Sequence, residues 1–346
     1  MLECRACGRS YADRWRCECG HALDFADPPG PGEGAPPSEL DRDAGLWAFA
    51  EWLPVERRVT LGEGWTPLVG EFGAELKLEY VFPSGSFKDR GATTTLSRAA
   101  DLGVERVVGN AGAAIAQYAA RAGIDARVYV PADAKAGKLR AIERAGADIV
   151  GVDGDRTAVT EACHEAVEAG EGWYASHAYN PAFYAGTATV AYEVAAQRGW
   201  NAPESVVLPL GHGTLFLGAY RGFRRLRDAG ITDRLPRMLG VQAAGTAPVA
   251  AALGNDAAGA NDRADGIQVR EPARRDQILA AIEDSGGDAI AVGSGATDGA
   301  LDRLHGAGFY VEPTCATALA GLERYRERGV AGEEAVVALT GSGLKS

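Results

Sequence analysis

Short apolar runs alternate with helix-period stretches along most of this chain. The runs Arg127–Pro131, Asp148–Val152, Val206–Leu210, Leu239–Gln242 and Ala335–Leu339 are too short for helices and rich in branched residues, so they predict strands. Between them, Ala113–Ala122, Lys138–Ala145, Ala158–Ala169 and Leu215–Asp228 space their apolar positions three and four residues apart, which predicts helices. Strand, helix, strand in repeated order predicts an α/β fold of mostly parallel sheets flanked by helices. The pattern does not extend to the start. Residues 1–27 form a small Cys-rich unit, and the run PPGPGEGAPP (28–37) offers nothing apolar beyond Pro and Ala, so 28–45 reads as an extended linker.

Composition narrows the function. Acidic residues outnumber basic ones 47 to 35, for a net charge of -12, which argues against binding a nucleic-acid backbone. The 46 glycines follow no collagen-like period and point to close helix–sheet packing. No stretch approaches the about 18 apolar residues of a membrane span, and MLECRACGRS lacks the basic-then-apolar order of a signal peptide. Six cysteines, four of them within the first 19 residues, do not make a secreted disulfide framework, so a reducing, cytoplasmic setting is expected. Only five basic residues are lysines (Lys77, Lys88, Lys135, Lys138 and Lys345), so each one in an unusual setting stands out.

Cys4 and Cys7 form a CxxC knuckle followed by Gly8, and Cys17 and Cys19 form a CxC pair followed by Gly20. Four thiolates on two turn tips suit tetrahedral Zn²⁺, and such a closed site is structural, with no open position for chemistry. The alternative is four free or buried thiols. Arg5, Arg9, Arg14 and Arg16 surround them, but the acidic chain favours a docking or folding role over nucleic-acid contact.

Lys88 lies in Val81-Phe82-Pro83-Ser84-Gly85-Ser86-Phe87-Lys88-Asp89-Arg90-Gly91. Pro83 and Gly85 predict a turn, Ser86 a cap, and the helix begins there. A lysine in the first helical turn meets the positive end of the dipole, which disfavours its protonated form. A neutral amine is what imine chemistry requires. The alternative is a solvated lysine paired with Asp89. Two further strand-to-helix turns bear on the choice. Gly211-His212-Gly213-Thr214 can expose backbone amides to an anion, though many GxG turns are only tight turns and His212 is expected to point outward. Asn110, in Gly109-Asn110-Ala111-Gly112, can donate to an oxyanion or simply cap a turn. The last predicted strand leads to Thr340-Gly341-Ser342-Gly343, and a neutral hydroxyl there suits an unprotonated pyridine nitrogen.

Seven stretches together resemble the fold-type II pyridoxal-phosphate enzymes of the tryptophan synthase beta-like superfamily, and most closely their threonine synthase-like branch. They are GEGWTPL (62–68), PSGSFKDRG (83–91), GNAGAA (109–114), YNPAFYAGTAT (179–189), PLGHGTLFLG (209–218), EPTCA (312–316) and LTGSGLK (339–345), in the family's order across most of residues 60–346. The Cys-rich head is similar to the zinc-ribbon-like units attached to some members. The resemblance implies a catalytic domain over 46–346 made of two α/β subdomains, the smaller at approximately 90–190, with the cofactor between them. It implies a Schiff base on Lys88, which then serves as acid and base. Asn110 would bond the ring oxygen, Gly211, His212, Gly213 and Thr214 would hold the phosphate, and Thr340 would meet the pyridine nitrogen. It also implies a lyase reaction, O-phospho-homoserine and water giving threonine and phosphate, in an often dimeric protein acting on a small amino-acid substrate.

The chain departs from the family at three places. Glu105-Arg106-Val107-Val108 runs straight into Gly109 without the usual Ser/Thr pair, so the substrate-carboxylate loop reads as shortened. Ala185 and Ala188 stand where relatives often have Glu and Lys, and Cys315 replaces a common Ser. These leave two alternatives: an amino-acid dehydratase or β-replacement enzyme on serine, threonine or phosphoserine-like substrates, and a cofactor-binding protein without turnover.

Overall fold

The computed structural model describes residues 1–346 apart from Ala111, Lys135, Asp155 and Ser346, with the side chains of Lys138 and Arg156 also outside the description. The head is three two-residue strands, β1 (Leu2–Glu3), β2 (Ser10–Tyr11) and β3 (Asp24–Phe25), in the antiparallel order β2-β1-β3. The Pro/Gly-rich segment follows, tied to the body by the Gly34 N–H on the Ala229 carbonyl at 2.9 Å. A kinked 3-10 segment, Arg42–Trp52, then buries Leu46, Trp47, Phe49 and Trp52.

The rest alternates as the pattern predicts. In chain order it comprises β4 (Leu68–Glu71), β5 (Ala74–Lys77), α1 (Lys88–Asp101), β6 (Arg106–Gly109), α2 (Ala113–Ala122), β7 (Asp125–Pro131), α3 (Ala136–Arg144), β8 (Asp148–Val152), α4 (Arg156–Glu168), β9 (Trp173–Tyr174), α5 (Pro181–Gln197), β10 (Ser205–Pro209) and α6 (Thr214–Asp228). Next come β11 (Arg237–Ala243), α7 (Pro248–Ala252), α8 (Arg275–Asp284), β12 (Asp288–Val292), α9 (Ser294–Gly306), α10 (Pro313–Glu327) and β13 (Ala335–Ala338). Two sheets result. The larger has the order β12-β11-β10-β13-β5-β4 and is parallel except for the antiparallel β4–β5 edge. The smaller, β8-β7-β6-β9, is wholly parallel. Among the described residues no helix is long and apolar enough to cross a membrane.

Burial explains the strands. Every residue of β10 is buried, as a central parallel strand covered on both faces requires. Helix α5 is buried from Pro181 to Ala195 and is sandwiched between α1 and α6, so it is apolar all round rather than on one stripe. The abundant glycines make this possible. A Cβ at Gly186 would overlap the Arg90 carbonyl of α1, and one at Gly218 would overlap Thr187 of α5. Ala185 and Ala188 belong to the same packing. Ala188 is 1% exposed and abuts α6 at Gly222, while Ala185 packs on Leu46 and Trp47.

Candidate active site

Lys88 opens α1 from a tight turn. Gly85, at φ 69, donates its N–H to the Phe82 carbonyl at 2.7 Å, a left-handed conformation that glycine adopts without strain. The expected Ser86 cap is weak: its hydroxyl receives the Lys88 N–H at 3.4 Å, and Phe87, already helical, occupies the cap position. The Lys88 side chain is half-buried, with Nζ 4.9 Å from the centre of the Phe87 ring. Phe82 instead stacks on the Arg90 guanidinium at 5.0 Å. Asp89 is wholly buried and accepts the Ser84 N–H at 2.8 Å and the Ser84 hydroxyl.

Burial lifts the Asp89 carboxyl to about 6, opposed by the Ser84 hydrogen bonds and aided by nearby Glu63. The folded protein thus keeps a proton that the unfolded chain releases. Stability from this group is full below about pH 4, the usual carboxylate value, and is lost as pH rises through about 6. Asp89→Asn is expected to gain stability on wild type across that interval. Urea midpoints of the two proteins, measured from about pH 4 to about pH 7, check it; a constant difference would contradict it.

The end of β13 is clamped to this turn. The Phe87 N–H reaches the Thr340 carbonyl at 3.1 Å, the Ser342 N–H reaches the Gly85 carbonyl at 2.9 Å, and Ser86 pairs with Gly341. Thr340 is 4% exposed, and its Oγ1 lies 3.5 Å from Cys315 Sγ. Burial pushes the Cys315 thiol up to about 12, which makes it a packing group and not a nucleophile. On the neighbouring β10, the Gly211–Thr214 turn leaves the same carboxyl edge, where ligands of parallel α/β sheets bind. Gly213 has φ 76, and a Cβ there would strike Ile278, so the turn needs glycine. Thr214 starts α6, and its carbonyl receives the Thr187 hydroxyl at 3.0 Å. His212 does not simply point outward. It is half-buried, with its ring edge-on to His177 at 5.1 Å between centroids.

Asn110 leaves the corresponding edge of the smaller sheet. Strand β6 runs unbroken to Gly109 with Val107 and Val108 fully buried, so no hydroxyl-bearing loop precedes Asn110. The Val108 carbonyl takes the Ala175 N–H at 2.8 Å, which sets His177 two residues beyond this edge. Through His177 and His212 the two edges meet. Asn110 Nδ2 donates to Thr160 Oγ1 at 3.3 Å, while its buried Oδ1 has no hydrogen-bond partner among the described residues. Turning the amide over would let Thr160 donate to Oδ1 and aim Nδ2 at the unpaired position, ready for a ligand oxygen. Ala111, the next residue of this motif, lies outside the described residues.

These residues fit pyridoxal phosphate. An amine sits at a helix start, an amide oxygen at the end of β6 is buried and unpaired among the described residues, a glycine turn opens a helix N-terminus, and a buried hydroxyl lies at a strand end. Sequence reasoning missed what holds them. Arg90, two residues after Lys88, is fully buried. It donates to Glu79 (2.6 and 2.7 Å), Glu193 (2.6 and 2.7 Å) and Thr189 (2.9 Å). Burial pulls Lys77 below its usual range, and its ammonium is received by Thr66 O, Glu193 Oε2 and Gln197 Oε1 at 2.7 to 2.9 Å. Burial would raise the Glu193 carboxyl, but Arg90 and Lys77 together hold it low. Behind Lys88, Glu63 accepts Tyr118 OH at 2.9 Å and Trp47 Nε1 at 3.1 Å. The only signals for these groups were the Lys-Asp-Arg of 88–90 and the Glu of GEGWTPL.

In the head, the four cysteine sulfurs lie within 4.8 Å of one another, with Cys4–Cys19 and Cys7–Cys17 at 3.5 Å. Four sulfurs about 2.3 Å from a central zinc would sit about 3.8 Å apart, so the cluster fits that ion. Gly8 and Gly20, at φ 71 and 88, close the two knuckles on the carbonyls of Cys4 and Cys17. The head is docked on the body. Asp13 takes Arg98 at 2.7 Å and Trp173 Nε1 at 2.9 Å, and Arg16 pairs with Glu168 at 3.1 Å.

Comparison with known proteins places the chain in a family. Residues 59–343 match the family described as pyridoxal-phosphate dependent enzyme. The chain is 35% identical to the threonine synthase of Methanosarcina acetivorans over 85% of its own length and 78% of the relative's. It is 33% identical to that of Methanocaldococcus jannaschii over 100% and 93%. Maize serine racemase shares the fold with a TM-score of 0.69 at 20% identity, covering 88% of this chain and 93% of the racemase. The fungal L-serine ammonia-lyase of Rhizomucor miehei does so with a TM-score of 0.67 at 22% identity, over 80% and 93%. A chain matched from residue 59 to residue 343, with two relatives at a third identity along nearly all of it, belongs to the pyridoxal-phosphate dependent enzymes and is a threonine synthase-like lyase.

Proposed function

We propose that the protein converts O-phospho-homoserine and water to threonine and phosphate. The observation that carries this reading is the likeness to two proteins named threonine synthase, which extends over 85% and 100% of the chain. Bound pyridoxal phosphate supplies an electron sink for carbanions next to the amino group. Lys88 would hold the cofactor covalently and move protons at the substrate Cα and Cβ. Asn110 fixes the ring oxygen through its amide. Amides of the Gly211–Thr214 turn and the Thr214 hydroxyl hold the phosphate, with His212 packed on His177 keeping the turn in place. Thr340 would offer the ring nitrogen a neutral hydroxyl instead of a carboxylate.

The test is phosphate release and threonine formation from O-phospho-homoserine by the purified holoenzyme. A 2-oxo acid formed from serine or threonine, without phosphate release from O-phospho-homoserine, would replace this reading with a dehydratase. No change with any amino acid would leave a binding protein. Smaller proposals accompany it. The cysteine cluster holds a structural Zn²⁺, so Cys4→Ser should lower bound metal from about one per chain to none, as measured by elemental analysis. A thiolate site of this kind suits a reducing cytoplasm. The homodimer implied by the family resemblance is checked by sedimentation.

A further inference from the structure

We infer that Arg274, held by Asp24 of the cysteine-rich head, is a positioning residue for the Gly211–Thr214 turn, acting through the segment 177–180. The inference rests on the reading of that turn as the cofactor's phosphate cradle.

Arg274 precedes α8, and its side chain is fully buried. Towards the head, Nη1 reaches Asp24 Oδ1 at 2.8 Å and Nη2 reaches the Leu23 carbonyl at 2.7 Å. Towards the body, Nη2 reaches the Tyr179 carbonyl at 2.8 Å and Nε the Ala178 carbonyl at 3.3 Å. Its Cζ lies 4.4 Å over the Tyr184 ring, and Tyr184 OH donates to the same Ala178 carbonyl at 2.9 Å. One planar fork therefore staples the head to two consecutive carbonyls, a geometry that lysine cannot reproduce.

What those carbonyls position is the site. His177, one residue earlier, is edge-on to His212 inside the glycine turn at 5.1 Å and to Phe183 at 6.1 Å. Phe183 covers Gly91 of α1 so closely that a Cβ on Gly91 would overlap its ring. Asn180 caps α5 by accepting the Ala182 N–H at 3.0 Å. The segment thus touches the glycine turn directly and reaches the helix that Lys88 opens through Phe183. The head's part is the charge. Burial would raise the Asp24 carboxyl, but Arg221, Arg274 and Arg5 hold it well below the usual carboxylate range. Without that carboxylate, the buried Arg274 would face mainly neutral acceptors, which compensate a desolvated cation poorly.

The test compares wild-type, Arg274→Gln and Asp24→Asn holoenzymes, with Thr214→Val as a reference for the cradle. Three quantities are read: cofactor dissociation constant, the ³¹P resonance of the bound cofactor phosphate, and the visible band of the Lys88 linkage. Both Arg274→Gln and Asp24→Asn should weaken cofactor retention about tenfold, the size of one lost charge-assisted hydrogen bond. They should also shift or broaden the ³¹P resonance while leaving the visible band in place. A purely structural role would lower melting temperature without moving that resonance. If Thr214→Val weakens retention and the other two variants, folded, match wild type, the positioning role is overturned and the cradle stands. If Thr214→Val also matches wild type, the cradle and the inference built on it both fall. Should Arg274→Gln not fold, Asp24→Asn decides by the same criteria.

Discussion

Lys88→Ala should give a folded protein that no longer holds its cofactor covalently. The fold has little to lose. The side chain is half-buried, and the first turn of a helix is where a cation meets the positive end of the backbone dipole. Alanine also favours the helix, so stability should stay within about 0.5 kcal/mol of wild type. Lys345, whose side chain packs beside Gly85 of the turn before Lys88, is the one described lysine near enough to substitute, so Lys345→Ala in the Lys88→Ala background is the control. Lys77 is fully buried with its ammonium shared among three oxygens, and Lys345 lies 3.8 Å from Glu312. Borohydride treatment followed by mass measurement reads the linkage directly. A reduced cofactor adduct that persists in the double variant would sink the assignment, and with it the catalytic reading of α1.

Arg90→Met should be the most destabilising single change near the site. It leaves Glu79 and Glu193 buried together, with Lys77 the remaining cation in contact with Glu193. Removing one partner of a buried ion network costs about 3–5 kcal/mol, because the survivors keep their desolvation penalty and lose their compensation. Against a typical total of about 5–15 kcal/mol, that is enough to depopulate the native state on modest warming. Arg90→Lys keeps the charge but not the fork that engages both carboxylates, so an intermediate loss is expected. Urea unfolding of the three proteins measures the series, and equal midpoints would show that the network contributes little.

Much of the fold was legible because apolar period and turn chemistry agree along the chain. Ala113–Ala122 and Asp148–Val152 form with the predicted ends, and the other predicted strands and helices shift by one or two residues at their termini. The Asn110 and Gly211–Thr214 motifs sit at strand-to-helix junctions, which local sequence marks with glycine. The buried ion network was not legible. Lys77, Glu79, Arg90 and Glu193 look like ordinary surface charges, and only the burial of α5 between two helices removes them from water. Arg274 was hidden for a similar reason, since its partners lie about 95 and 250 residues away in sequence. Ala185 and Ala188, singled out in the sequence as departures, are both buried in helix packing.

The strand order of the larger sheet carries a consequence for biosynthesis. Strand β13 lies between β10 and β5, so residues 335–338 must exist before the sheet can close around the Lys88 turn. The smaller sheet draws its four strands from residues 106–174 alone and can assemble much earlier on the ribosome. A nascent chain that has passed β10 but not reached β13 presents two unpaired edges, β5 and β10, of the kind that invites wrong pairing. Slow, long-range parallel pairing prolongs that interval. Chaperone demand during synthesis should therefore peak late, and it should fall on the half of the molecule that carries the glycine turn.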